Sequence, residues 1–130
     1  MTEKEKMLVG KIYDPTDETI LELRIKAHKL STQYNSLFED DEKRQTILNE
    51  LIPEQGENLF LQGPIYFDYG VFTSFGKNCY ANFNLTVLDT CPVHIGDNVF
   101  FWSQLYNSDT TSSSSLSRKK YQIQRKWNAL

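Results

Sequence analysis

The sequence predicts an α+β chain: an N-terminal helical cap, then a short parallel β-helix, then a disordered tail. Three observations carry the prediction. A six-residue repeat runs from Phe75 to Phe101, an apolar stripe at helical spacing precedes it, and a low-complexity basic segment follows it. A fixed short period marks one supersecondary unit stacked on copies of itself.

The helices come first. Thr2 to Val9 reads as a short helix closed by Gly10. Ile20, Leu23, Ala27, Leu30, Tyr34 and Leu37 then recur every three or four residues. They form one apolar stripe on a helix from about Asp17 to Leu37. Asp17 and Glu18 lie in its first turn, where negative charge suits the helix dipole. A third helix spans about Asp41 to Ile52, with Ile47, Leu48, Leu51 and Ile52 on its buried face, and Pro53 stops it. The three apolar faces need a partner. The open first coil of a β-helix supplies one, and covering it also protects an exposed strand edge.

Strand-like alternation begins at Leu59-Phe60-Leu61 and continues at Ile65-Tyr66-Phe67. The box Phe75-Gly76-Lys77-Asn78-Cys79 returns as Ile95-Gly96-Asp97-Asn98-Val99, and hexads from Phe83 and Asp89 lie between. Fifth positions Cys79, Val87, Val93 and Val99 are small or β-branched, as the crowded inside of a triangular coil requires. Glycine is expected to turn the corners. Ala81-Asn82 breaks the period and is expected to bulge outward. A little over one full coil is expected in all. The expected units are a cap over 1–58, a partial β-helix over 59–101 and a tail over 102–130.

The tail differs from everything before it. Ser112-Ser113-Ser114-Ser115 is low-complexity, and Arg118, Lys119, Lys120, Arg125 and Lys126 face only Asp109. Disorder or a frayed helix is expected there. The net charge of −3 therefore hides an acidic body, which gives no general reason to expect nucleic acid. No apolar run reaches transmembrane length and no signal peptide is legible, so no membrane contact and a cytoplasmic location are expected. Cys79 reads as a buried filler, and a Cys79–Cys91 disulfide is not expected in a reducing compartment. Two His and two Cys at these spacings match no zinc pattern, so no metal is expected.

The cluster Phe67-Asp68-Tyr69-Gly70, Tyr80-Ala81-Asn82-Phe83-Asn84, Leu88-Asp89 and Ile95-Gly96-Asp97-Asn98-Val99 resembles the maltose and galactoside O-acetyltransferases of the hexapeptide-repeat superfamily. Glu3-Lys4-Glu5-Lys6-Met7, Gly10-Lys11-Ile12-Tyr13-Asp14 and Tyr34-Asn35 resemble the family's helical cap. The resemblance covers residues 1 to about 101. It implies transfer of an acetyl group from acetyl-CoA to a sugar hydroxyl, in a homotrimer with clefts between subunits. It also implies substrate-binding roles for Asp14, Arg24, Asp68, Tyr80, Asn82 and Asp89. Plainer readings stand beside these. Asp89 could turn a coil corner, Asp68 could form a turn before Tyr69-Gly70, Tyr80 could only pack, and Arg24 could be a solvated helix charge. Thr90 departs from the acid of the galactoside enzymes and favours the maltose-like branch.

The family activates the hydroxyl with a His in a Thr-x-x-His-Pro type segment shortly after Ile-Gly-Asp-Asn-Val. A hydroxyl needs such a base at neutral pH. Here no His follows His94, which faces outward, and His28 lies on a helix surface. No catalytic residue is assigned, and none is assigned to acetyl-CoA. Codons from Trp102 onward, read one base later, can spell Gly-Pro, Thr-Ala-Thr-x-Pro and Gly-Met-Pro, which the family offers next. A frameshift near Phe101 is inferred. The expected fold is thus a helical cap on a truncated left-handed parallel β-helix with a disordered tail. The expected function is that of an inactive remnant of a sugar O-acetyltransferase or, alternatively, a non-catalytic sugar-binding or interaction module.

Overall fold

Helix α1 spans Glu3–Leu8, and its first turn is closed by a reciprocal cap: Glu5 N–H donates to Thr2 Oγ1 at 3.1 Å and Thr2 N–H to Glu5 Oε1 at 2.8 Å. Helix α2 spans Glu18–Asn35, and the Asp17 side chain accepts from Ile20 N–H at 3.2 Å. It ends two residues before Leu37 because Asn35 turns its side chain to the coil. Helix α3 spans Lys43–Leu51. It starts later than Asp41 because the Asp41 carboxylate accepts from Lys43 N–H at 2.9 Å, as a residue ahead of a helix does. The structure, a computed structural model, describes residues 1–101 and Ile123–Gln124.

Eight short strands follow: β1 Glu54–Gln55, β2 Leu59–Leu61, β3 Ile65–Phe67, β4 Thr73–Phe75, β5 Cys79–Ala81, β6 Leu85–Val87, β7 Val93–Ile95 and β8 Phe100–Phe101. Each strand pairs parallel with the third strand after it, in the order β1-β4-β7, β2-β5-β8 and β3-β6. Leu59 lies over Cys79, Ile65 over Leu85 and Thr73 over Val93. This is the left-handed parallel β-helix of the sequence reading. It is longer than expected: β1 starts a coil inside the segment read as cap, so two full coils and the start of a third are present. Most of the tail lies outside the described residues, as does the frameshift reading. Within it, β9 (Ile123–Gln124) pairs antiparallel with β8.

The interruption of the period sits elsewhere than expected. Ala81 is fully buried in the ladder, and Asn82 N–H continues it by donating to Phe101 O at 3.2 Å. The two extra residues widen the corner between β6 and β7, Leu88 to Pro92, and its counterpart between β3 and β4. Phe83, read as the first residue of a hexad, lies exposed. Glycine turns two of the corners as expected, Gly63 and Gly70 at φ of 81° and 73°, and asparagine turns others: Asn58, Asn78, Asn84 and Asn98 take positive φ of 61°, 59°, 66° and 59°. Asn58 and Asn78 stack by a 2.9 Å side-chain bond, Asn78 and Asn98 by one of 3.2 Å. Gly56 and Gly76 serve close stacking instead: a Cβ on either would lie 2.7 Å from the backbone of the next coil.

One core joins cap and coils. Ala27, Leu30 and Tyr34 of α2 and Leu48, Leu51 and Ile52 around α3 pack on Leu59, Leu61, Ile65, Phe67 and Phe75. The cap also satisfies the first coil's free strand edge. Asn35 both donates to Ile65 O (2.8 Å) and accepts from Ile65 N–H (2.7 Å). Phe67 N–H donates to Ser31 Oγ at 3.4 Å, and the Tyr34 hydroxyl donates to Leu61 O. Arg44 was not foreseen on the buried face. It is 5% exposed, lies 4.0 Å over the Tyr34 ring and donates to Leu61 O and Gln62 O at 3.1 and 2.8 Å. These contacts replace a missing strand, because a buried backbone group left unpaired is costly.

Candidate functional site

The six candidate residues divide into three groups. Arg24, in the second turn of α2, donates to Pro15 O and to the Tyr69 hydroxyl, both at 3.1 Å. It thus ties the loop that carries Asp14 to the corner that carries Asp68. The Asp14 carboxylate is exposed and accepts from Thr16 N–H at 2.9 Å and Thr16 Oγ1 at 2.6 Å, which holds its pKa below the usual carboxylate value. Asp14, Arg24 and Asp68 therefore border one corner, where Tyr69 packs with Met7 and Ile20 beneath the short α1.

Tyr80, on β5 of the β2-β5-β8 sheet, and Asn82, at the corner between β5 and β6, lie on another side of the coil. Tyr80 points out of β5, with its ring 5.3 Å from Phe60 and 5.0 Å from Phe100. Its hydroxyl donates to Gln62 Oε1 at 3.3 Å. The whole of β6 lies between Asn82 and the corner that faces Asp68.

Asp89 stands apart. It is 0% exposed; Tyr69 N–H donates to one carboxylate oxygen at 2.8 Å and Thr73 Oγ1 to the other at 2.9 Å. Burial pushes its pKa up, against these bonds. Both carboxylate oxygens are thus engaged within the protein, between the β3–β4 and β6–β7 corners.

His28 is the residue that sequence reasoning passed over. Read as a surface position, it has its Nε2 3.5 Å from Asp68 Oδ1. Both border a cavity of about 280 Å³ with Ser31, Thr32, Asn35, Tyr66, Phe67 and Leu88. The signal was the helical spacing of Arg24, His28 and Ser31, which puts them on one face. What no local pattern supplies is the pairing of His28 with a residue forty positions on. His94 is exposed, with Nδ1 2.8 Å from Ser74 Oγ. Both cysteines are free. Among the described residues no group of three or more His, Cys, Asp or Glu is placed to hold a metal, and no helix is long and apolar enough to cross a membrane.

Comparison with known proteins gives the following. Residues 6–56 match the family model of the maltose acetyltransferase hexapeptide capping motif. The galactoside O-acetyltransferase of Escherichia coli is 38% identical over 96 residues, covering 73% of this chain and 47% of the relative. Nodulation protein L of Rhizobium meliloti is 35% identical over 111 residues, covering 83% and 61%. Among solved structures, a maltose O-acetyltransferase from Clostridium difficile superposes with a TM-score of 0.72 at 40% identity, covering 77% of this chain and 54% of that one. A galactoside acetyltransferase in complex with coenzyme A gives 0.70 at 36% identity, covering 75% and 50%. The chain spans about half the length of the curated relatives it matches.

Proposed function

The chain belongs to the hexapeptide-repeat family of maltose and galactoside O-acetyltransferases, and from that premise we propose that it carries the sugar-acceptor half of such a site. One observation supports this most: Arg24 joins the Asp14 loop to the Tyr69 corner, so three acceptor candidates border one place. Asp14 and Asp68 offer carboxylates to sugar hydroxyls, and Arg24 fixes the loop between them. Asp89 acts indirectly, by holding the corner on which Asp68 stands. Tyr80 and Asn82, on another side of the coil, serve a neighbouring subunit's acceptor in a homotrimer. Acetyl-CoA is the acyl donor by family, and the relative with bound coenzyme A supports that. The proposed setting is cytoplasmic.

The 130-residue chain is proposed to transfer no acetyl group by itself. Its two histidines are His28 and His94. His94 is engaged with Ser74, and His28, on α2, lies beside Asp68. Neither belongs to a segment beyond the Ile95–Val99 box. General acid–base assistance typically contributes 10²–10⁴-fold, and positioning of the two reactants contributes more. The test follows free CoA after mixing chain, acetyl-CoA and maltose, glucose or a galactoside. No sugar-dependent release is expected, while sugar raises the melting temperature. Turnover that Asn82→Ala abolishes would overturn the proposal.

A second reading, association with an intact relative, is favoured by Gly96. It repeats the stacking glycines Gly56 and Gly76, yet a Cβ there would meet nothing within 4 Å among the described residues. Among the described residues, nothing occupies the place of another coil at this face. Co-purification with a full-length relative supports this reading; recovery of the chain alone counts against it.

A further inference from the structure

Strand β8 is paired with β5 on one side only, and we infer that its other edge is a strand-docking surface which the chain's own β9 occupies, shutting out strands from other chains. The inference goes beyond the acceptor reading and does not depend on it. Tyr80 N–H donates to Val99 O at 2.9 Å and Asn82 N–H to Phe101 O at 3.2 Å, so Val99 and Phe101 turn their backbone toward β5. Successive residues of a strand present N–H and C=O to opposite sides, so Phe100 presents both away from β5. Gln124 stands opposite Phe100 in the antiparallel pair, and Ile123 opposite Phe101. Phe100 and Gln124 are therefore the residues placed to exchange both backbone bonds, while Ile123 turns its N–H outward.

β9 is a lid and not a further rung. The rungs of this sheet are parallel and follow at twenty residues, Phe60 over Tyr80 over Phe100. A fourth rung would set Lys120 over Phe100. The chain instead brings in Gln124, with its direction reversed. Both edges of β8 are then taken, and no later coil can continue from it. β6 and β7 differ: each ends its sheet among the described residues.

The edge of β8 has a particular need of cover. Val99-Phe100-Phe101-Trp102 is an uncharged apolar run, and such a run on an open edge recruits strands from other molecules. β7, by contrast, follows directly on Pro92, which cannot donate to a ladder. A strand on the same chain has an effective concentration on the order of 1 mM, above that of strands from other molecules in a micromolar solution. The occupant is thus the chain's own segment. A second copy or an intact relative must displace β9 before it can extend the coil, which sets a condition on the association reading above.

The test is amide exchange of the full 130-residue chain, read at Phe100 against Phe101. In the parent both amides should be protected, Phe101 by β5 and Phe100 by β9. Gln124→Pro removes the N–H that faces Phe100. It should speed Phe100 exchange by about tenfold, the effect of one lost hydrogen bond, while Phe101 stays slow. Gln124→Ala keeps that N–H, and Ile123→Pro removes one that faces outward, so both should leave Phe100 protected. Sedimentation velocity should show Gln124→Pro forming larger species than the parent, growing with concentration. Free exchange of Phe100 in the parent would overturn β9 as the occupant. Protection of Phe100 that rises with protein concentration would overturn it too, and assign the edge to a second copy. A freed Phe100 with no added association would overturn the exclusion of other strands. Sugar binding is read in none of these measurements, so the acceptor reading stands or falls separately.

Discussion

Thr73 Oγ1 donates to the buried Asp89 carboxylate at 2.9 Å, across the corner where the coil is two residues wider than a hexad. The second oxygen takes Tyr69 N–H, so one side chain closes a gap that backbone pairing leaves open. Asp89→Ala should cost about 2–4 kcal/mol, because two buried donors lose their acceptor. Asp89→Asn should cost less than about 1 kcal/mol, since its oxygen can still accept and the Thr73 hydroxyl can turn. The pH dependence follows from the sign of the shift. Burial raises the folded-state pKa of Asp89. Its contribution is therefore full below the unfolded-state value and falls as pH rises through the folded one. Denaturant melts across the acid range should show this slope, and Asp89→Asn should flatten it.

Tyr34 makes the complementary case at high pH. Burial pushes its pKa up from 10.0 to about 12, against the opposing pull of Arg44. The unfolded chain ionises first, so stability should decline between pH 10 and about 12. Tyr34→Phe should remove much of that decline. It should cost about 1 kcal/mol at neutral pH, because Leu61 O keeps the Arg44 bond. A Tyr34→Phe variant with the same alkaline melting profile as the parent would contradict the assignment.

Much of this architecture was legible because it repeats. The stripe from Ile20 to Tyr34 gave α2, and the two Asn-containing boxes twenty residues apart gave the coils. The first coil carries the same signal in Gln55-Gly56-Glu57-Asn58-Leu59. It was missed because Gln55 stands where Phe75 and Ile95 are apolar. The structure gives the reason: Gln55 Nε2 donates to Leu48 O and Ile52 O, closing the end of α3. The position of the wide corner was illegible for another cause. A twenty-residue spacing fixes that two residues are extra, not which corner holds them, and only the Asp89 contacts decide it. Arg44 and the His28–Asp68 pair depend on long-range contacts that no local pattern encodes.

Gly76 and Gly96 offer a controlled comparison at one ladder position. A Cβ on Gly76 would sit 2.7 Å from Gly96 carbonyl carbon and 2.2 Å from Asp97 Oδ1. Gly76→Ala should cost about 3 kcal/mol or more, the upper range for overpacking, because backbone must move. Among the described residues a Cβ on Gly96 meets nothing within 4 Å, and Gly96→Ala should stay within about 0.5 kcal/mol. Chemical denaturation of both variants measures the difference. Equal costs would mean that another coil lies against Gly96 in solution.

Arg24 separates loop positioning from general stability. Its two guanidinium nitrogens reach Pro15 O and Tyr69 Oη, a span that one ammonium cannot reproduce. Arg24→Lys should therefore keep the cap, whose core is Ile20, Ala27, Leu30 and Tyr34, at a cost of about 1 kcal/mol. The loop should suffer more. Amide exchange at Thr16 and Asp17, which depend on Asp14 Oδ1 and Asp14 O, should speed up markedly while α2 stays protected. The same variant should lose most of the sugar-induced rise in melting temperature, because Asp14 no longer has a fixed place. If Arg24→Lys speeds loop exchange yet keeps the full sugar response, Asp14 is not an acceptor ligand. If neither changes, the two hydrogen bonds do not hold the loop, and the corner must be held by the packing of Met7, Ile20 and Tyr69 alone.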